Sequence, residues 1–407
     1  MPGYDIVDYF TDPALVEDPL PYFEHLRAIG PVTRLPHHGV VAITGYEEAS
    51  ELWRRPDAFS SCNSVTGPFP GIPEAPEGDD ANDVIERHRA SLPMGEYLIT
   101  QDPPAHTALR GLLMRLLTPR RLQESDDAIV RLADRRLDRV LARPSFEVQG
   151  EFAQPYALLV IAELLGVPED EHPTFTHQLG ERDPLAFLSD TFSAYVEDRR
   201  REPRDDVLTS LATATYPDGS VPEVLDVVRT ATFLFAAGQD TTARLITAAL
   251  RILGDDPDLQ DRLRREPERI PDFVEEVLRL DGPVKTVSRF TRVTTSLGGV
   301  DIPAGTTVAV FPHAANRDPE RFEAPGELRL DRPNAKEHLA FGRGIHACPG
   351  GPLARVEARI ALERLLARTS SIGISEAEHG PPGARRYRYV PTYILRGITA
   401  LHLEVTP

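Results

Sequence analysis

Cys348 stands in the run Phe341-Gly342-Arg343-Gly344-Ile345-His346-Ala347-Cys348-Pro349-Gly350. Gly342 and Gly344 open backbone conformations closed to residues with a Cβ, so amide N–H groups can crowd towards one sulfur. The next segment, Pro352 to Leu362, is a good helix former with proline in its first turn. A cysteine just before a helix N-terminus feels the positive end of the dipole, which favours the thiolate. A thiolate in a glycine-lined loop meets the requirement for axial ligation of haem iron by sulfur. The competing reading of any free cysteine is a buried and inert one.

A second candidate cluster, Ala237-Gly238-Gln239-Asp240-Thr241-Thr242, lies within a long helical pattern. Ser220-Val221-Pro222-Glu223 has the spacing of a capping box with proline just inside, and no further proline interrupts the chain before Gly254. That predicts roughly 50 Å of helix, buried in its middle because it is apolar over most of its circumference there. Glycine and paired threonines lower helix propensity, and a carboxylate in a core is costly without a task. Threonine hydroxyls can bond back to earlier carbonyls and open a groove for a small ligand or water. A kinked core helix with a satisfied aspartate is the plainer alternative.

Further charged residues are spaced for shared faces. Glu276 and Arg279 sit at i, i+3 on a helix that opens with Pro271, a pattern more often met as a surface ion pair. His106 and Arg110 sit at i, i+4 after Pro103-Pro104, where both could point towards an anion. Arg289 lies in a strand-like run.

Together these segments resemble the cytochrome P-450 family. The cysteine run meets every specified position of the haem-binding signature F-G-x-G-x-H-x-C-x-G, and the helical cluster matches [A/G]-G-x-[D/E]-T-T. Glu276 and Arg279 match the family's E-x-x-R. The likeness runs in the right order from about residue 100 onwards and reaches weakly into Phe59-Ser60-Ser61. It implies a mainly α fold with small β-sheets, a long central helix over a haem, and the cysteine-ligand loop on the proximal side. Cys348 would be the axial thiolate of haem b, in a loop with Phe341, Gly342 and Gly350. His106, Arg110, Arg289 and His346 would contact the propionates. Thr241 would hold dioxygen and a water, and Asp240 would relay protons. Glu276 and Arg279 would join Arg321, in Asn316-Arg317-Asp318-Pro319-Glu320-Arg321-Phe322, as a network holding the cysteine loop. One departure is Pro349-Gly350-Gly351, where Leu-Gly-Ala is usual; Pro349 removes an amide near the sulfur and so bears on the iron potential.

By homologous position the substrate pocket draws on Leu92, Met94, Leu98 and Ile99, on Phe233, Leu234 and Ala237, on Val284, Lys285 and Val287, and on Ile394 and Leu395. Most are aliphatic, which suits an apolar small molecule of the terpenoid, fatty-acid or steroid class. Lys285 is the exception. A lysine there more often faces solvent, whereas an inward one could pair with a substrate carboxylate. The implied function is a monooxygenase that inserts one atom of O2, fed by an external acidic ferredoxin and its reductase because no reductase domain is fused. Peroxide-driven chemistry, an atypical oxidation such as coupling or desaturation, and a non-catalytic haem protein are the alternatives. The acid–threonine pair counts against the first and the last.

Composition sets the frame. The chain has 407 residues, 41% hydrophobic and 27% charged, with no linker or repeat, and reads as a single domain over 1–407. Two cysteines are too few for a disulfide framework, which fits a reducing compartment. A net charge of −18 argues against nucleic-acid binding. Arg110, Arg115, Arg120, Arg121, Arg343, Arg355 and Arg359 could form a local basic face for an acidic partner, or be ordinary solvated positions. The acidic start, Met1 to Asp8, is no signal peptide, and no stretch has the apolar length of a membrane span, so a cytoplasmic protein is expected, and the family resemblance implies a monomer. Residues 60–96 and 372–393, rich in proline and glycine, read as loose loops.

Overall fold

Val224–Asp255 forms one continuous α-helix of 32 residues, roughly 48 Å long at 1.5 Å per residue. The computed structural model describes residues 3–181, 183–204, 206–216 and 219–407. The helix starts later than the capping-box reading placed it, with Glu223 as an N-cap that makes no side-chain bond. The carbonyls that would have begun the earlier turn are taken elsewhere. Ser220 O accepts from the Tyr216 amide (2.9 Å), and Pro222 O accepts from Arg200 Nη2 (2.6 Å).

Contacts divide the chain into two compact units. One comprises Pro104–Pro271, Pro349–Tyr387 and Ala400–Pro407. Its centre is the long helix, which lies against the helices Gln154–Leu164, Pro184–Arg201, Gly351–Ala367 and Ala105–Met114. Val227, Phe235, Leu245, Ile246, Leu250 and Leu253 are buried along it, as its apolar faces require. Gly238 permits the closest approach, since a Cβ there would fall 2.8 Å from Ile161 Cδ1. A three-stranded antiparallel sheet in the order Ser145–Glu147, His402–Thr406, Ser371–Ile374 sets Leu403 opposite both Phe146 and Ile374.

The other unit comprises Met1–Pro103, Asp272–Cys348 and Arg388–Thr399. Its five-stranded sheet runs in the order Val32–Arg34, Val41–Ile43, Thr307–Val310, Val287–Thr291, Phe59–Ser60. Val41–Ile43 pairs parallel with Thr307–Val310 and the remaining pairs are antiparallel. The β-branched run explains this core: Val41, Ile43, Val308 and Val310 pack with Trp53, Phe59, Phe322 and Leu339. Strand Val287–Thr291 sets Arg289 opposite Val308.

The stretch 60–96 is more ordered than its composition suggests. It contains the helix Asn82–His88 and a bridge from Asp80 to Val293. Likewise 372–393 contains the end of strand Ser371–Ile374 and the short helix Glu376–His379. No helix among the described residues is long and apolar enough to cross a membrane.

Candidate functional site

Cys348 is exposed and in no disulfide, whereas Cys62 is buried and its thiol is pushed up to about 11 by desolvation. The turn before Cys348 depends on its glycines. Gly342 has φ +64° and Gly344 φ +70°, and a Cβ on Gly344 would lie 2.0 Å from the Trp53 carbonyl oxygen. The turn closes where the Cys348 amide donates to Phe341 O (2.8 Å), with Gly342 N on Leu339 O (3.0 Å) and Ala347 N on Gly344 O (3.1 Å). Gly350 caps the helix Gly351–Ala367 and its carbonyl accepts from Ala354 N (2.9 Å).

The same unit holds a buried ionic network. Arg279 Nε and Nη2 donate to the two oxygens of Glu276 (2.7 and 3.0 Å), on the helix Ile270–Asp281. The third member is Arg332, whose Nε donates to Glu276 Oε1 (3.0 Å) and whose side chain is 2% exposed. Arg321 does not fill that place. Its side chain is exposed, pairs with Glu337 and lies over the Tyr46 ring. The reason is steric: Phe322, the neighbour of Arg321, occupies the core and stacks on the Arg279 guanidinium at 5.3 Å. Burial alone would raise the Glu276 carboxyl, but bonds from Arg279 and the Arg329 amide, with the charges of Arg279 and Arg332, hold it below the usual range. Remaining arginine protons reach the carbonyls of Asn316, Pro325 and Glu327 from Arg279, and of Glu323, Ala324 and Glu327 from Arg332. Asn316 Oδ1 in turn accepts from Leu339 N (2.6 Å), at the entry to the cysteine turn.

Arg289 is buried in its strand and donates to Ser288 O (2.8 Å). Burial pulls its guanidinium down to about 10, with Asp102 acting in the other direction. Such a group is stabilised by an anion placed against it. His346 is half-buried in the short helical turn Gly344–His346. In the other unit, His106 is buried and Arg110 half-buried on the helix Ala105–Met114, at the spacing read from the sequence.

The long helix opens its surface where the motif falls. Ala237 is exposed and Gly238 to Thr241 are half-buried, between buried residues on both sides. Thr241 Oγ1 donates back to Ala237 O (2.8 Å), the local competition expected of a helical threonine. The helix itself stays unbroken. Asp240 is not a core carboxylate: it is half-buried and accepts from Arg244 Nε one turn on (2.7 Å).

The proposed pocket residues divide. Val284 bridges to Leu395, and the Lys285 amide donates to Ile394 O (2.9 Å), so this pair of segments is brought together. Val287 leans on the sheet core. Leu92 lies in a buried cluster with Cys62, Ala81, Ile85 and Phe290. Leu98, Phe233 and Leu234 are also buried, while Met94 (φ +56°) and Ile99 keep partial exposure. Lys285 does not face solvent: it is 1% exposed, and burial with the nearby Arg396 charge pulls its amine down to about 8.

Helices, small sheets and a cysteine in a glycine turn define a haem-thiolate protein. A family model described as Cytochrome P450 matches residues 182–372. Cytochrome P450 144 of Mycobacterium tuberculosis is 34% identical, covering 96% of this chain and 89% of that protein. The substrate-free structure of Mycobacterium marinum CYP150A6 is 59% identical with a TM-score of 0.98, covering all of both chains. Bacillus megaterium CYP109E1, solved with corticosterone, is 26% identical with a TM-score of 0.81, covering 96% of this chain and 99% of that one. The chain belongs to the cytochrome P450 family, has its fold, and is a P450 monooxygenase whose cofactor is haem held by a cysteine thiolate. Its residues suit that group: an exposed sulfur in a glycine turn for the iron, and a buried guanidinium suited to a carboxylate.

Proposed function

We propose that this monooxygenase oxidises an apolar small molecule, with Cys348 as the axial thiolate and Asp240 and Thr241 managing protons. The exposed Cys348 sulfur, against the buried thiol of Cys62, is the observation that carries the reading. Arg289, His106, Arg110 and His346 are the residues that would hold the propionates, and Phe341, Gly342 and Gly350 shape the ligand turn. When bound, the haem supplies the activation of dioxygen. The chain's own share is water exclusion and proton delivery. Thr241 Oγ1, now bonded to Ala237 O, turns to donate towards dioxygen. Asp240 exchanges its bond to Arg244 for water, takes up a solvent proton through that water and passes it to the Thr241 hydroxyl.

For the substrate class, Ala237, Val284, Val287, Ile394 and Leu395 offer aliphatic walls, and the steroid-bound relative supports a steroid or terpenoid ahead of a polar ligand. Electrons come from an acidic ferredoxin with its reductase. Arg120 and Arg359 are paired with Glu124 and Glu363, which makes them the weaker docking charges. The enzyme works as a single-domain cytoplasmic monomer.

An optical titration of the ferric holoprotein with steroids, terpenoids and fatty acids tests the substrate class. A high-spin shift with one class, absent with polar controls, is the expected result. A bound haem that shifts only with polar ligands would overturn the apolar reading, and a Cys348→Ser protein with an unchanged spectrum would overturn the ligand assignment.

A further inference from the structure

Glu275 and Glu276 are neighbours on one helix, and both reach towards the cysteine turn by different routes. Glu276 works through its arginines and Asn316 to the Leu339 amide. Glu275, 4% exposed, meets His338 Nε2 at 3.1 Å, and His338 is 6% exposed. On the other side of the ring, His338 Nδ1 accepts from the Ala340 amide (3.2 Å). A ring nitrogen that accepts an amide N–H carries no proton, so the imidazole proton is placed on Nε2, which donates to the Glu275 carboxylate. The ring also packs against Phe341, with centroids 5.8 Å apart and planes tilted by 47°. The peptide that His338 grips therefore leads straight into Phe341, whose carbonyl receives the Cys348 amide at 2.8 Å.

The result is an unbroken run of contacts: Glu275 Oε2 to His338 Nε2, His338 Nδ1 to Ala340 N, and Phe341 O to Cys348 N. The Phe341 carbonyl helps set the direction of the Cys348 Cα–Cβ bond, because it fixes the peptide plane on which that bond is mounted. We infer that His338, oriented by Glu275, is a positioning residue for the Cys348 thiolate, and this rests on Cys348 being the haem ligand. A histidine with one face on a carboxylate and the other on the ligand loop is the arrangement by which outer residues orient a metal ligand.

The test uses the holoprotein. His338→Phe keeps the ring against Phe341 and removes both hydrogen bonds. His338→Asn keeps an acceptor for the Ala340 amide two residues on, as an Asx turn does. The readouts are the ferrous–carbonyl spectrum, which separates thiolate from thiol ligation, the reduction potential, and haem transfer to apomyoglobin. In His338→Phe the thiol-type band is expected to grow, the potential to rise, and haem loss to quicken by about tenfold. His338→Asn is expected to restore the thiolate band. A His338→Phe protein with wild-type spectrum and potential overturns the inference. If that variant does not fold, His338→Asn decides: a retained thiolate band supports the inference and its loss overturns it. A wild-type protein without a thiolate band would instead overturn the Cys348 assignment itself.

Discussion

Arg279 and Glu276 form a two-point ion pair with bonds of 2.7 and 3.0 Å, and neither side chain is exposed. A pair so deeply buried holds geometry more than it adds stability, because desolvation offsets most of the attraction. Arg332→Ala leaves Glu276 paired with Arg279 but removes one charged bond to it and the donor to the Glu323 and Ala324 carbonyls. It is expected to cost about 2–3 kcal/mol, while Arg321→Ala, on the exposed pair with Glu337, should cost about 1 kcal/mol or less. Urea unfolding of the two variants makes the comparison, and equal losses would contradict the placement of Arg332.

Gly342 and Gly344 both have positive φ, yet their surroundings differ. A Cβ on Gly342 meets nothing within 4 Å, whereas one on Gly344 strikes the Trp53 carbonyl. Gly342→Ala should lose about 1 kcal/mol, and Gly344→Ala at least about twice that with visible loss of haem. Thermal melts with haem spectra would check the order.

His313 is fully buried, and desolvation with the Arg396 charge pushes its imidazole down to about 3. Its Nε2 donates to Gly282 O (2.6 Å), and Nδ1 has no partner to receive a proton's charge. The folded state thus refuses a proton that the unfolded chain takes at about pH 6.5. This contribution is fully present above about pH 6.5 and is lost as pH falls towards about 3. By about pH 4.5 the loss amounts to about 2–3 kcal/mol. Comparing His313→Gln with the native chain at both ends of that window should show a smaller acid loss in the variant.

Lys285 is buried beside a second positive charge, so replacing it removes a desolvation cost. Lys285→Met should gain roughly 1–3 kcal/mol below about pH 8, the gain fading towards about pH 10.5 as the native amine becomes neutral at no cost. Stability curves against pH check this. If the amine serves an acidic substrate, the same variant should bind acidic ligands more weakly, and unchanged affinity for all of them would remove that role.

The cysteine turn was legible in the chain because its requirements are local. Positive φ at Gly342 and Gly344 and a helix opening at Gly351 follow from residue type alone. The same holds for the Thr241 back-bond to Ala237, one turn away on a single helix. The Asp240–Arg244 pair at i, i+4 was equally local but went unread, and it accounts for a carboxylate that looked costly.

Long-range relations were not legible. Nothing near Arg321 or Arg332 says which reaches Glu276; Phe322 entering the core turns one outward and leaves the place to the other. His338 and Glu275 are 63 positions apart and carry no motif that joins them. Lys285 looked like a solvent-facing lysine until the strand pairing with Ile394 carried it inside. The long helix and the ligand turn were set by residues close together in the chain, since backbone preference and side-chain type act within a few residues, while the cofactor followed from the resemblance that those motifs carry. Tertiary structure decided which charges are buried and what they pair with, because desolvation depends on whatever the rest of the chain brings alongside.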